Sequence, residues 1–222
     1  LIEQMPLKAR PRAIIYDWDN TLVDSWPPIC DALNTTLAAF DLPAWSMEEV
    51  RGRVRKSLRE SFPDLFGDQW HTAADIFYER YGEIHTTSIK PIKGIAEMLA
   101  HNSELGIFQA IVSNKRGDYL RKEAEKLGWT HFFGPIIGAN DAANDKPAID
   151  PVHMALCNSG FAAGQTVWFV GDTDIDMQCA INANCTPVLM RAGIEKEGEF
   201  NNFPPQLRFQ TAEALCKHLR NL

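Results

Sequence analysis

From Pro91 onward the chain alternates short apolar runs with stretches of helical periodicity, and few folds accommodate that order. Ile95, Met98, Leu99 and Leu105 mark a helix over Gly94–Leu105, and Ile107–Val112 is a strand that ends in Ser113-Asn114-Lys115. A helix over Asp118–Leu127 stops at Gly128, and Pro135–Gly138 reads as a short strand. Asp150-Pro151 supplies an N-cap with Pro at the first helical position, for a helix ending near Gly160. Thr166–Val170 is a strand ending in Gly171-Asp172, and a helix follows to about Ala183. Pro187–Met190 is a further strand, and Thr211 caps a last helix carrying Leu215, Leu219 and Leu222. With one more strand over Ala13–Tyr16, the pattern predicts right-handed βαβ units, hence an α/β fold built on a parallel sheet.

The segment from Asp24 to about Lys90 breaks this rhythm. Ile29, Leu33, Thr36, Leu37 and Phe40 recur at helical spacing, and Ser46-Met47-Glu48-Glu49 is a capping box for a second helix. Trp70–Tyr81 is a third candidate, with Ala74, Phe77, Tyr78 and Tyr81 on one face. The expected organisation is an α/β core from residues 1–23 and 91–222, with a helical insertion over 24–90.

Ligands of open parallel sheets gather outside the carboxyl ends of the strands. Four polar clusters fall at such ends: Asp17 with Asp19, then Ser113, then Lys146 after a less regular approach, and Asp172 with Asp176. Singly, each has an ordinary explanation, such as a helix cap, a turn or a solvated lysine. Jointly they point to one site of carboxylates, a hydroxyl and a lysine, without histidine. That composition excludes a serine-hydrolase triad. Oxygen-rich sites suit Mg²⁺, and a cation, a lysine and a hydroxyl are what a transferring phosphoryl group needs. A carboxylate, ionised at neutral pH, is a competent nucleophile once its repulsion from phosphate is offset. A second carboxylate near the leaving oxygen supplies the proton and later activates water. The helical insertion is a candidate lid.

Asp17-Trp18-Asp19-Asn20-Thr21 resembles the DxDxT nucleophile motif of the haloacid dehalogenase superfamily. Val112-Ser113-Asn114-Lys115, Asp145-Lys146-Pro147 and Gly171-Asp172-Thr173-Asp174-Ile175-Asp176 resemble its second, third and fourth motifs, in order and across nearly the whole chain. The insertion after the first motif is similar to the C1 cap of the phosphoglycolate phosphatase-like branch. The resemblance implies a Rossmann-like core and a phosphatase acting on a small phosphorylated metabolite, with phosphoglycolate as the family-level candidate. It implies that Asp17 forms an aspartyl-phosphate, that Asp19 is general acid and base, and that Thr21 helps hold the loop around the phosphate. Ser113 and the Asn114 backbone would bind the phosphate, and Lys146 would neutralise it. Mg²⁺ would be held by Asp17, the Asp19 carbonyl and Asp172, with Asp176 binding metal-coordinated water or bracing Lys146. Asp174 is the less expected ligand.

Two features are particular to this sequence. Asn20 stands where many members of that branch have Gly, and Asn tolerates the left-handed conformation better than other side chains. Arg51–Arg59 carries five cations in nine residues, either a solvated helix face or an anion-binding turn; Arg55 and Lys56 are the candidate substrate contacts. Trp45, Trp70 and Phe77 are expected in a small core of the insertion, and Trp18 is expected to pack away from the carboxylates. A sugar phosphomutase or a phosphonatase using Lys56 are alternatives on the same fold. An idle domain binding a phospho-ligand or a partner is the non-enzymatic one, though no catalytic group is missing.

The remaining composition narrows the classes. Net charge is −7, from 22 Lys+Arg against 29 Asp+Glu, which argues against nucleic acid as the ligand. No run approaches the roughly 18 apolar residues of a membrane span. The opening LIEQMPLKARPR lacks the apolar region of a signal peptide, and without an initial Met it leaves room for a few residues or a tag ahead of it. Five cysteines without a CxxC pair are expected to be reduced, buried thiols, and a cytoplasmic monomer or dimer is expected. Six scattered histidines show no zinc spacing.

Overall fold

The computed structural model describes residues 9–54 and 57–222. In chain order its first elements are β1 (Ala13–Tyr16), β2 (Val23–Asp24), α1 (Trp26–Ala39), α2 (Met47–Arg53), α3 (Leu58–Phe66) and α4 (Trp70–Ser88). They are followed by β3 (Lys90–Pro91), α5 (Ile95–Glu104), β4 (Phe108–Arg116), α6 (Gly117–Lys126), β5 (Ile136–Ala139) and α7 (Asp150–Leu156). The last are β6 (Val167–Gly171), α8 (Asp174–Asn182), β7 (Thr186–Met190), β8 (Leu207–Phe209) and α9 (Ala212–Arg220).

Six strands form one sheet in the order β5-β4-β1-β6-β7-β8, and every adjacent pair is parallel. All carboxyl ends therefore share one edge. β1 lies centrally, between β4 and β6, and the chain order reverses there. Its side chains alternate. Ile14 and Tyr16 join a core with Met98 and Leu99 of α5 and Leu215 and Leu219 of α9. Ala13 and Ile15 join a second core with Val152 and Ala155 of α7 and Cys179 and Ala180 of α8. A sheet covered on both faces needs near-continuous apolar strands, which is why β1, β6 and β7 are buried at every position.

Helices α1 to α4 make a separate layer with its own core, in which Leu33, Leu37, Val50, Phe62 and Phe66 are buried. Trp45, Trp70 and Phe77 pack against that core but remain half-buried. The two chain crossings into this layer pair as a short antiparallel ribbon, Val23 with Pro91 and Asp24 with Lys90. The Ser46 capping box forms as expected, its hydroxyl accepting from Glu49 N at 3.2 Å.

Several details depart from the sequence reading. The apolar spacing of Leu58, Phe62 and Leu65 carries a helix, α3, although Pro63 lies inside it. β4 continues through Ser113 to Arg116 instead of ending at Val112, with an irregular register against β5. α7 begins with Asp150 itself and ends at Leu156, short of Gly160. β8, three residues long, alternates Leu-Arg-Phe over too short a span to announce a strand. All five cysteines are free, but Cys157 is exposed and Cys30 half-buried, so only three are the buried thiols expected.

Leu99, fully buried against the sheet, and Ile194, 97% exposed, give a contrast in stability. Leu99→Ala is expected to lower the unfolding free energy by about 2–5 kcal/mol and Ile194→Ala to change it by less than about 0.5, measured by urea denaturation.

Candidate active site

The shared carboxyl edge of the sheet gathers the four sequence clusters. Asp17 follows β1, Ser113 lies in β4, Lys146 sits beyond β5, and Asp172 and Asp176 flank the β6–α8 junction. Lys146 Nζ bridges Asp17 Oδ1 at 2.6 Å and Asp176 Oδ1 at 2.7 Å, and all three groups are buried. Thr21 Oγ1 lies 3.4 Å from both Asp17 Oδ2 and Asp172 Oδ1. The ligand oxygens of Asp17, Asp172 and Asp176 fall within 4.8 Å of one another.

This is a crowded set of charges. Burial, followed by repulsion from Asp176 and Asp19, outweighs the pull of Lys146 and raises the Asp17 pKa to about 7. Burial, with Asp176 and Asp17, also pushes Asp172 well above the ordinary carboxylate range. Burial works against the Lys146 ammonium, yet Asp17 and Asp176 leave its pKa raised. Three buried carboxylates thus face one ammonium. Hard oxygen donors with an excess of negative charge are the donor set a divalent cation fits, so Asp17, Asp172 and Asp176 are the residues able to hold one.

Local folding explains how these side chains are aimed. Asn20 has φ 62°, the left-handed conformation its side chain tolerates, and its Oδ1 accepts from Ser25 N at 3.3 Å. Gly171 is required by space, because a Cβ there would run into the Asp176 side chain. Asp176 Oδ2 accepts from Thr173 N at 3.0 Å and Thr173 Oγ1 at 2.7 Å, a capping box that starts α8 while leaving Oδ1 for Lys146. Asn114 contributes through its side chain, exchanging two hydrogen bonds with the Lys146 backbone: Lys146 N donates to Oδ1 at 3.0 Å, and Nδ2 donates to Lys146 O at 3.1 Å. Ser113 is buried, its Oγ accepting from Lys115 N at 3.3 Å.

Asp19 stands apart from the acid cluster. Its Oδ1 accepts from Ser25 Oγ and lies 2.6 Å from Lys115 Nζ, which is also 2.6 Å from Glu123 Oε2. Glu123, on α6, is fully buried and receives Trp18 Nε1 at 2.7 Å and Tyr81 Oη at 3.0 Å, with His85 Nδ1 at 2.9 Å. Burial alone would raise its pKa, but Lys115 and these hydrogen bonds bring it below the ordinary value of 4.5. Trp18 therefore does face away from the cluster, with its ring edge-on to Trp129 at 5.9 Å. Sequence reading missed Lys115, Glu123, Tyr81 and His85, since only the tertiary fold joins α4 and α6 behind Asp19. The Lys ending Ser113-Asn114-Lys115 was the available signal.

Of the basic run, Arg53 stacks over Trp45 at 4.5 Å, and Arg59 Nε lies 2.6 Å from Asp145 Oδ2, tying α3 to the loop that carries Lys146. Arg55 and Lys56 lie outside the described residues. Arg191 Nη1 donates to Asp172 O at 3.1 Å and pairs with Glu199, a support the sequence did not suggest. Between this edge and the helical layer opens a cavity of about 610 Å³, reaching from Asp17, Asp19 and Lys146 to Trp26, Trp45 and Phe77. Among the described residues no helix is long and apolar enough to cross a membrane.

The model of the haloacid dehalogenase-like hydrolase family matches residues 14–190. A phosphoglycolate phosphatase of Pseudomonas syringae pv. tomato is 29% identical over 202 residues, 86% of this chain and 73% of its own. One from Escherichia coli O157:H7 is 26% identical, covering 94% of this chain and 92% of its own. A solved haloacid dehalogenase-like hydrolase from Streptococcus pneumoniae superposes with a TM-score of 0.83 at 25% identity, covering 94% of this chain and 98% of that one.

Replacing Lys115 by Met leaves Asp19 and Glu123 without their shared cation. The variant is expected to lose about 3–5 kcal/mol at neutral pH in urea denaturation. Because the Glu123 pKa is lowered on folding, that contribution is present above about pH 4.5 and fades as pH falls further, so the gap to wild type narrows in acid.

Proposed function

This chain belongs to the haloacid dehalogenase-like hydrolase family, and on that premise we propose that it is a Mg²⁺-dependent phosphomonoesterase working through an aspartyl-phosphate on Asp17. The observation that carries the reading is the buried Lys146 ammonium lying 2.6 Å from the Asp17 carboxylate in a cluster of three acids. The ion would be held by Asp17, Asp172 and the Asp19 backbone carbonyl, with Asp176 beside it. When bound, it supplies positive charge that lets a carboxylate approach a phosphate dianion.

The residues divide the work. An Asp17 carboxylate oxygen attacks phosphorus while the bond to the leaving oxygen breaks, and that oxygen takes a proton from Asp19. Lys146 neutralises charge on Asp17 and on the transferring group, with Ser113 Oγ, the Asn114 backbone and Thr21 orienting the phosphoryl oxygens. Asp19, now ionised, takes a proton from water, which attacks phosphorus, breaks the bond to Asp17 and releases inorganic phosphate. The separation of Asp19 from the acid cluster supports two distinct jobs for the two aspartates.

Residues 24–90 act as a cap in this reading. The Arg59–Asp145 contact and the α4 side chains on Glu123 support that role, because they tie the helical layer to the catalytic edge. Phosphoglycolate, the substrate in the relatives' names, is the first compound to test.

A phosphate-release assay with Mg²⁺ should show turnover that EDTA abolishes and excess Mg²⁺ restores. Asp17→Asn is expected to lower kcat by at least about a thousandfold and Asp19→Asn by about 10²–10⁴-fold, both with wild-type circular dichroism. Retained turnover in Asp17→Asn would sink the mechanism.

A further inference from the structure

The cavity beside the catalytic edge is far larger than a two-carbon leaving group requires. Its volume of about 610 Å³ lies well inside the range of about 300–1,000 Å³ that encloses drug-sized ligands, and equals the space of roughly twenty waters. The helical layer lines it with six aromatic side chains, Trp26, Trp45, Phe62, Phe77, Tyr78 and Tyr81, and with aliphatic ones such as Leu33 and Leu58. Phe62, Tyr78 and Tyr81 each make ring contact with Phe77, while Trp26 and Trp45 lie against Arg51 and Arg53. Phe77 stacks on Tyr81 at 5.7 Å with 9° between planes, and Phe62 meets Phe77 edge-on at 5.7 Å. Tyr81 in turn lies 5.2 Å from Lys115 Nζ, the ammonium that touches Asp19. The wall therefore leads from the helical layer to the carboxylate assigned to the leaving oxygen.

Aromatic surface beside water is costly unless a ligand covers it, and rings accept other rings in offset or edge-on geometry. The expectation that Trp45 and Phe77 serve only a small core is thus incomplete, since both also face the cavity while half-buried. Among the described residues of the helical wall, the charges are Arg53, already 3.5 Å from Glu49, and the acids Glu60 and Asp64.

We propose that the leaving group of the preferred substrate carries an aromatic ring, seated between the Trp26–Trp45 side and the Phe62–Phe77–Tyr81 wall, with its alcohol oxygen toward Asp19. The inference rests on the phosphatase reading and deepens it by naming the substrate class. One subsidiary expectation follows from the geometry: discrimination is lost when the wall is cut back.

The test compares ethyl phosphate, 2-phenylethyl phosphate and phosphoglycolate on the Mg²⁺-loaded full chain, as kcat/KM from phosphate release. The first two esters have leaving alcohols of similar intrinsic reactivity, so their ratio reports on the ring. We expect 2-phenylethyl phosphate to exceed both others by at least about tenfold. Trp45→Ala and Phe77→Ala should each lower the phenylethyl-to-ethyl ratio severalfold, and a ratio taken on one preparation cancels any loss of folded enzyme. If either variant fails to fold, the wild-type ratio decides. A wild-type ratio near one, or phosphoglycolate outrunning the phenyl ester, overturns the inference and leaves the phosphatase reading standing. No release from any of the three overturns both.

Discussion

The buried ammonium of Lys146, held between Asp17 and Asp176, is the interaction on which the rest of the site depends. Burying a charge without partners costs several kcal/mol, and removing one member of a buried set leaves the others uncompensated. Here the set is unbalanced even when intact, because Asp172 adds a third carboxylate to a single cation. Such an arrangement persists only if the surrounding fold over-determines it. Asn114 clamps the Lys146 backbone from β4, the Thr173–Asp176 capping box pins α8, and Arg191 holds the Asp172 carbonyl. Each support comes from a different strand end, so the sheet is the device that keeps the charges together.

A second charged centre, Lys115 with Glu123, lies behind Asp19 and is wired differently. It draws Trp18 from the β1 loop, Tyr81 and His85 from α4, and Glu123 from α6 into one buried network. The helical layer is therefore joined to the carboxyl edge of the sheet by hydrogen bonds and ion pairs as well as by the β2–β3 ribbon. Movement of α4 would be felt at Asp19, whereas the helical layer reaches the Lys146 loop through Arg59 of α3 and Asp145. The proposed nucleophile and the proposed proton carrier thus rest on separate supports.

Much of this was legible in the primary structure. Apolar strand runs, helical spacing after Pro91 and the positions of Gly128 and Thr211 are local signals, and the elements they mark formed within a few residues. Polar residues directly after apolar strands pointed to one edge, because parallel strands place all their carboxyl ends together. Failures also had local causes. Pro63 masked α3, β8 was too short to show a period, and Cys157 lay on an exposed turn after α7.

The sequence by itself determined the α/β class, the convergence of Asp17, Ser113, Lys146, Asp172 and Asp176, and the tolerance of Asn20 for a left-handed turn. These follow from residue chemistry and from periodicities that neighbouring residues set. Only the tertiary structure decided that Lys115 and Glu123 stand behind Asp19, that Arg59 reaches Asp145, and that Trp45 and Phe77 face a cavity. Those pairings join residues from separate helices, and side-chain direction across a packed interface leaves no periodic trace in a single chain.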